Sequence, residues 1–217
     1  MTPPVVYSDS RISIGDHYRA LGVRLHSTGL SLRETAAVLE VFGVHRSHQA
    51  IWQWVHRFAD SVPDPPSATP TRVAVDETAV QVGTEWYWLY AAIDLDSKLL
   101  LGVRLSPRRG SSPAAAFLSE LKERHNLSET EFLVDGYGYL TALARCDLSG
   151  DLEYADRNKI EKWFQTLKMR VERFHNTWTG GPASASRWLA AFVYYYNCQR
   201  PNQALSNRTP VEEVTNN

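Results

Sequence analysis

Between Ser61 and Pro70 four prolines, Pro63, Pro65, Pro66 and Pro70, fall within ten residues, and no helix runs through such a segment. Each proline removes a backbone donor and fixes its own φ, so residues 61–71 are expected to form a semi-rigid linker. The hydrophobic period changes across it. Before it, apolar residues recur at helical spacing; after it they come in short runs rich in Val, Leu, Tyr and Trp. A chain of 217 residues divided in this way holds one sizeable domain, 72–217, and a small helical one, 1–60.

In the first part, Ser31 stands three residues ahead of Glu34, the spacing of a capping box. Leu32, Thr35, Ala36 and Leu39 then share one helical face. After the break at Phe42-Gly43-Val44, Ser47 is placed to cap a second helix. There Ile51, Trp54, Val55 and Phe58 recur at i, i+3, i+4 and i+7. Helix, short glycine-containing turn and second helix make the outline of a helix-turn-helix. His48, Gln49, Gln53 and Arg57 fall on its polar side, available to base edges or phosphates. An ordinary helical hairpin has the same pattern, and six arginines against five acids in residues 1–60 do not separate the two.

Beyond the linker, Arg72–Gln81, Trp86–Asp94 and Lys98–Leu105 read as strands, with turns at Gly83-Thr84 and 94–97, the pattern of an antiparallel meander. A helix is expected over Pro113–Asn126, a strand over Glu131–Val134, a short helix over Leu140–Cys146 and a strand over Leu152–Tyr154. A long helix from about Asn158 to Phe174 follows. A last helix, Ala183 to Gln199, stops before Arg200-Pro201. Periodicity alone makes this a mixed α/β domain.

Three carboxylates stand out against that frame. Asp76 extends the apolar run Val73-Ala74-Val75, where a bare charge is costly unless something positive sits against it. Asp135 ends a second apolar run, Phe132-Leu133-Val134, and Gly136-Tyr137-Gly138 after it lets the backbone turn close to a ligand. Glu161 lies at the edge of the apolar face made by Ile160, Trp163, Phe164 and Leu167, with Lys168 two turns along on the same side. Each has a plain structural alternative: a strand-end Asp accepting backbone N–H bonds, a turn-starting Asp, a solvated Glu. Together, two strand acids and a helix acid suit a hard divalent cation, and a pair of such ions can clamp a phosphodiester for in-line displacement. Asp94 and Asp96 read as turn residues bonding their own backbone. Glu77 and Glu85 are expected to face away from Asp76 or lie at the hairpin, with no role.

A net charge of −1 and a pI near 6.7 do not fit a protein coated with basic surface, so any nucleic-acid contact must come from local patches. Residues 157–176 are one such patch, with Arg157, Lys159, Lys162, Lys168, Arg170 and Arg173 against two glutamates. Cys146 and Cys198, far apart and outside any C-x-x-C, indicate neither a disulfide framework nor a zinc site. The start, Met1-Thr2-Pro3-Pro4, lacks the pattern of a signal peptide, and the apolar stretch Trp188–Tyr196 is too short for a bilayer. A soluble, cytoplasmic protein with no membrane contact is expected.

With these residues in place, the chain resembles the DDE transposases of the insertion-sequence-6 family. The resemblance runs through His48–Val55, Ala74-Val75-Asp76-Glu77-Thr78, Trp86–Asp94, Leu133-Val134-Asp135, Arg157–Phe164 and Tyr196–Leu205 with Thr209-Pro210. It implies a ribonuclease-H-like mixed sheet flanked by helices and preceded by a small helix-turn-helix domain. It implies Asp76, Asp135 and Glu161 as catalytic metal ligands for two Mg²⁺ ions, with Mn²⁺ an alternative, Asp76 touching both ions. Lys168 matches the basic residue two turns after the glutamate, and Arg157, Lys162 and Lys168 become DNA contacts. The implied partners are the element's terminal inverted repeats and target DNA. A homodimer or larger assembly on DNA follows, in a prokaryotic cytoplasm at the nucleoid. The Asp135–Glu161 interval is shorter than the family's usual one, and Gly136 stands where many relatives carry a polar residue. An inactive remnant, a DNA-binding regulator and a metal-dependent nuclease of the same fold are the competing readings.

Overall fold

The computed structural model of the chain describes residues 14–152, Gln165, Met169 and 181–216. Three helices come first: α1 (Ile14–Ser27), α2 (Leu32–Val41) and α3 (His48–Ala59). The capping box closes as its spacing requires, with Glu34 N donating to Ser31 Oγ at 3.1 Å and Ser31 N to Glu34 Oε2 at 2.7 Å. Ser47 Oγ likewise accepts from Ala50 N at 3.2 Å. Val23, Leu39, Ile51 and Val55 form the buried centre of this unit, with Trp54 and Phe58 packed against it.

The strands β1 (Arg72–Val82), β2 (Glu85–Asp94), β3 (Leu100–Ser106), β4 (Glu131–Val134) and β5 (Ser149–Leu152) form one sheet in the order β3-β2-β1-β4-β5. The first three are the antiparallel meander, its first turn made by Gly83 at φ +63° and Thr84. β4 and β5 add parallel strands, connected through α4 (Ser111–Arg124) and α5 (Tyr137–Arg145). Both helices cover one face, where Val73, Val75, Tyr90, Phe117, Leu118, Phe132 and Leu143 are buried together. The opposite face, with Ala74, Leu89, Ile93 and Leu133, is covered by α6 (Gly181–Tyr194) through Trp188, Leu189 and Phe192.

Several boundaries differ from the expected ones. α4 begins earlier, after Gly110 at φ +131°, which leaves Pro113 in the first turn, where no backbone donor is needed. α5 begins at Tyr137, ahead of the expected Leu140 and with Gly138 in its first turn, because Tyr139, Ala142 and Leu143 have a core to enter. β5 lies at Ser149–Leu152, earlier than expected, and Gly150 explains the site: a Cβ there would meet the Phe132 carbonyl oxygen at 2.6 Å. α6 ends at Tyr194 and passes into a π-helical turn, Tyr195–Gln199. That turn aims buried Asn197 at β3, where the ladder slips between Ala92 and Ile93. Asn197 Nδ2 donates to Leu100 O at 2.9 Å, and Leu100 N donates to Asn197 Oδ1 at 3.0 Å, so the amide satisfies both backbone groups of Leu100 next to the skipped Leu101. The expected long helix over 158–174 lies outside the described residues, apart from Gln165 and Met169, which are helical and exposed.

The proline-rich segment carries neither helix nor strand, yet its second half is tied down. Asn126 N donates to Ala68 O at 3.0 Å, Thr130 Oγ1 to Pro70 O at 2.7 Å, and Ala68 N to His125 Nδ1 at 3.3 Å. His125 uses its other nitrogen on Leu101 O at 3.0 Å, so Nδ1 must stay an acceptor and the ring neutral. Burial holds its pKa below the ordinary histidine value, helped by Arg124 and opposed by the Leu101 bond and Asp64. The unfolded chain therefore takes up a proton first, and this contribution to stability, complete above pH 6.5, is lost as pH falls below it. Thermal melts between pH 7.5 and 5 should show His125→Gln losing less stability on acidification than the parent; equal losses would acquit this ring. Among the described residues no helix is long and apolar enough to cross a membrane.

Candidate active site

β1 and β4 run parallel, with Arg72 beside Glu131, Val73 beside Phe132 and Ala74 beside Leu133. Asp76 and Asp135 are each two residues beyond the last of these pairs. The ladder ends before them, and only its continuation by two residues would set them one inter-strand spacing apart, ~4.8 Å. Asp76 lies inside β1, opposite Ala91 of β2, and Asp135 lies just past the end of β4, where the chain leaves the sheet through Gly136 into α5. Both are half-buried. Asp76 Oδ1 accepts from Glu77 N at 2.8 Å. Two residues 59 positions apart in the chain thus stand just past the last pairing of neighbouring strands, a juxtaposition that no local pattern contains.

The donor chemistry fits a hard divalent cation: two carboxylates at a half-exposed sheet rim, of the kind that bind magnesium while it keeps several waters. Among the described residues no group of three or more His, Cys, Asp or Glu converges to hold a metal. Glu161, the expected third acid, lies outside the described residues, as do Lys168, Arg157 and Lys162. His48, Gln49, Gln53 and Arg57 are all exposed on α3, together with Trp52. The other side of α3 faces α6, where His56 Nε2 lies 3.1 Å from Ser184 Oγ and Phe58 packs edge-on to Tyr194 at 5.3 Å. Arg187 Nε reaches Asp60 Oδ1 at 2.8 Å beside them. Asp94 and Asp96 behave as turn residues: Asp94 accepts from Asp96 N and Ser97 Oγ, and Asp96 from Thr71 Oγ1.

Next to Asp135 opens a cavity of about 290 Å³, also lined by Glu77, Tyr90, Arg109, Gly136 and Tyr139. Glu77 does face away from Asp76, as strand alternation demands, but it is no idle surface residue. Its side chain is 4% exposed, Oε1 accepts from Arg109 Nε at 2.6 Å, and Oε2 accepts from the Tyr139 hydroxyl. The guanidinium also lies over the Trp88 ring, 4.7 Å from its centroid. The bond to Glu77 holds the Arg109 pKa above its ordinary value. Burial, then Glu77, pushes the Tyr139 phenol well above its ordinary range, so the hydroxyl stays a donor. The sequence contained a usable signal: Glu77 shares the alternating face of Val73 and Val75, and a carboxylate on a buried face has to be paired.

Residues 70–179, about half of the chain, match the DDE domain of the IS240 type. Among curated proteins, the chain is 28% identical over 207 residues to the transposase for insertion sequence-like element IS431mec of Staphylococcus aureus, covering 90% of this chain and 91% of that one. It is 27% identical over 177 residues to the uncharacterized protein MJ0017 of Methanocaldococcus jannaschii, covering 80% and 82%. Among solved structures, a chain of the simian T-cell lymphotropic virus intasome in complex with the PP2A regulatory subunit B56 gamma superposes with a TM-score of 0.53 at 15% identity, covering 89% of this chain and 74% of that one. The sheet order and its flanking helices are thus those of a ribonuclease-H-like fold behind a helical N-terminal region. The domain is of a kind that uses divalent metal ions. The chain belongs to the DDE transposases of the insertion-sequence-6 family.

Proposed function

We propose that this protein cuts the ends of an insertion sequence and joins each freed 3′-OH to target DNA. What supports the reading is the parallel β1–β4 pairing, which ends two residues before Asp76 and Asp135 in a DDE domain. Asp76, Asp135 and Glu161 would hold magnesium or manganese, two ions per site. Such ions lower the pKa of the attacking water and stabilise the leaving 3′ oxygen. In the first step water adds to phosphorus and the P–O3′ bond breaks, leaving a 3′-OH and a 5′-phosphate. In the second that hydroxyl attacks a target phosphodiester and displaces the target's own 3′ oxygen.

The chain's other residues bind and orient. Lys168, with Arg157 and Lys162, would hold phosphates without reading sequence. The exposed side of α3, with His48, Gln49, Gln53 and Arg57, would read the terminal repeats, in a domain bounded by residues 1–60 and the 61–71 linker. Cutting two ends takes two sites, so the working form is a dimer or larger assembly on DNA, in the cytoplasm of a prokaryote.

Labelled DNA bearing the repeats that flank the gene tests this directly. The expected products are nicked ends and, with added target DNA, joined strands, both lost in EDTA. Cleavage without joining would make the protein a nuclease, and binding without cleavage a regulator or remnant.

A further inference from the structure

The β1–β4 ladder stops at Ala74 and Leu133, short of both aspartates. Past that point a side-chain linkage takes over. Glu77, next to Asp76, accepts the hydroxyl of Tyr139, which stands in the first turn of the helix that begins just after Asp135 and Gly136. The same carboxylate takes Arg109, on the loop into α4, and Gly110 N on that loop donates to Tyr90 Oη of β2 at 3.1 Å. β1, β2, the α4 entrance and the α5 entrance are thereby tied around one buried carboxylate.

We propose that Glu77 is a positioning residue which, through Tyr139 and Arg109, sets the spacing of Asp76 and Asp135 and so the affinity of that pair for a divalent cation. The inference rests on the reading of the two aspartates as metal ligands. Glu77 lies on the opposite face of β1 from Asp76 and lines one cavity with Asp135, so Tyr139→Phe, which changes no charge, is the arm that reads positioning alone. Partners that orient metal-binding carboxylates typically change affinity 10–100-fold when removed.

Manganese titration of the full chain, followed by EPR, separates the two ideas without recourse to activity. Tyr139→Phe keeps the ring and removes one oxygen, and Glu77→Gln keeps the shape and removes the charge. Each is expected to weaken manganese binding about 10-fold. The double variant should be little worse than either, because both cut one linkage. In cleavage assays the half-saturating Mg²⁺ concentration should rise by a similar factor, while the rate at saturating Mg²⁺ largely recovers. A purely structural role would lower the melting temperature and leave the metal curve in place, and that result overturns the proposal. Asp76→Asn is the control: if it binds manganese like the parent, the two-aspartate reading itself fails, whatever the Glu77 variants do. Should Tyr139→Phe fail to fold, Arg109→Lys, which keeps the positive charge acting on Asp135 and removes the Nε bond to Glu77, supplies the second arm.

Discussion

Asp76→Asn yields a folded protein that still binds end DNA and cuts it at least ~10³-fold more slowly, a loss of about 4 kcal/mol in transition-state stabilisation. The substitution discriminates because Asn keeps what a merely structural Asp would supply. Its side-chain oxygen can still accept from Glu77 N, the contact that Oδ1 makes at 2.8 Å. What vanishes is the negative charge that a bound cation would need. Asp135→Asn should cost as much, and the pair together little more than either, since residues acting on one reacting centre are strongly non-additive. The measurement is single-turnover cleavage of labelled end DNA in Mg²⁺, with melting temperature and DNA affinity taken alongside. Cleavage near the parent rate in either variant would remove that residue from the site.

The second large effect is on stability. Trp188→Ala is expected to cost about 3–5 kcal/mol, out of the ~5–15 that a domain of this kind has to spend. Trp188 is 2% exposed and sits in α6 between two bodies. On one side it stacks on Phe192, ring centroids 5.2 Å apart and nearly parallel, over the sheet residues Ala74, Leu89 and Leu133. On the other its Nε1 donates to His26 O at 3.3 Å, at the end of α1. Truncation leaves a cavity and removes the donor to that carbonyl together. Trp188→Phe keeps most of the ring and loses only the hydrogen bond, at about 1 kcal/mol. Urea unfolding should rank parent, Phe and Ala in that order, and a fall of under 1 kcal/mol for Ala would mean that α6 does not join the N-terminal helices to the sheet through this residue.

Much of the fold was legible in the residues because its signals are local. Ser31 and Glu34 announce a helix start, Gly83-Thr84 a hairpin, and the alternation of Val73 to Val80 a strand with two buried faces; each depends on neighbours within a few positions. Apart from the start of α4, the boundaries that moved are those set by distant partners. β5 lies where Gly150 can pass the Phe132 carbonyl, and α6 opens into a π-turn so that Asn197 can reach Leu100, 97 positions away. Asp76 and Asp135 could be singled out from charge set against apolar runs. Glu77 was passed over, because its value lies in Tyr139 and Arg109, 62 and 32 positions away, and no window on the sequence contains all three.

The amino-acid sequence by itself determined the family, the order of elements and the candidate acids, since these follow from short-range periodicity, capping and motif strings read along the chain. Tertiary structure alone decided which acids become neighbours. Strand pairing ends with Asp76 and Asp135 at one rim of the sheet, an ion pair to Arg109 and a phenol hydrogen bond anchor the buried Glu77 carboxylate next to Asp76 in the chain, and α6 binds the N-terminal helices to the sheet. The physical reason is that a carboxylate's function here depends on what lies within a few ångströms of it. That distance is set by packing between segments that sequence order keeps far apart.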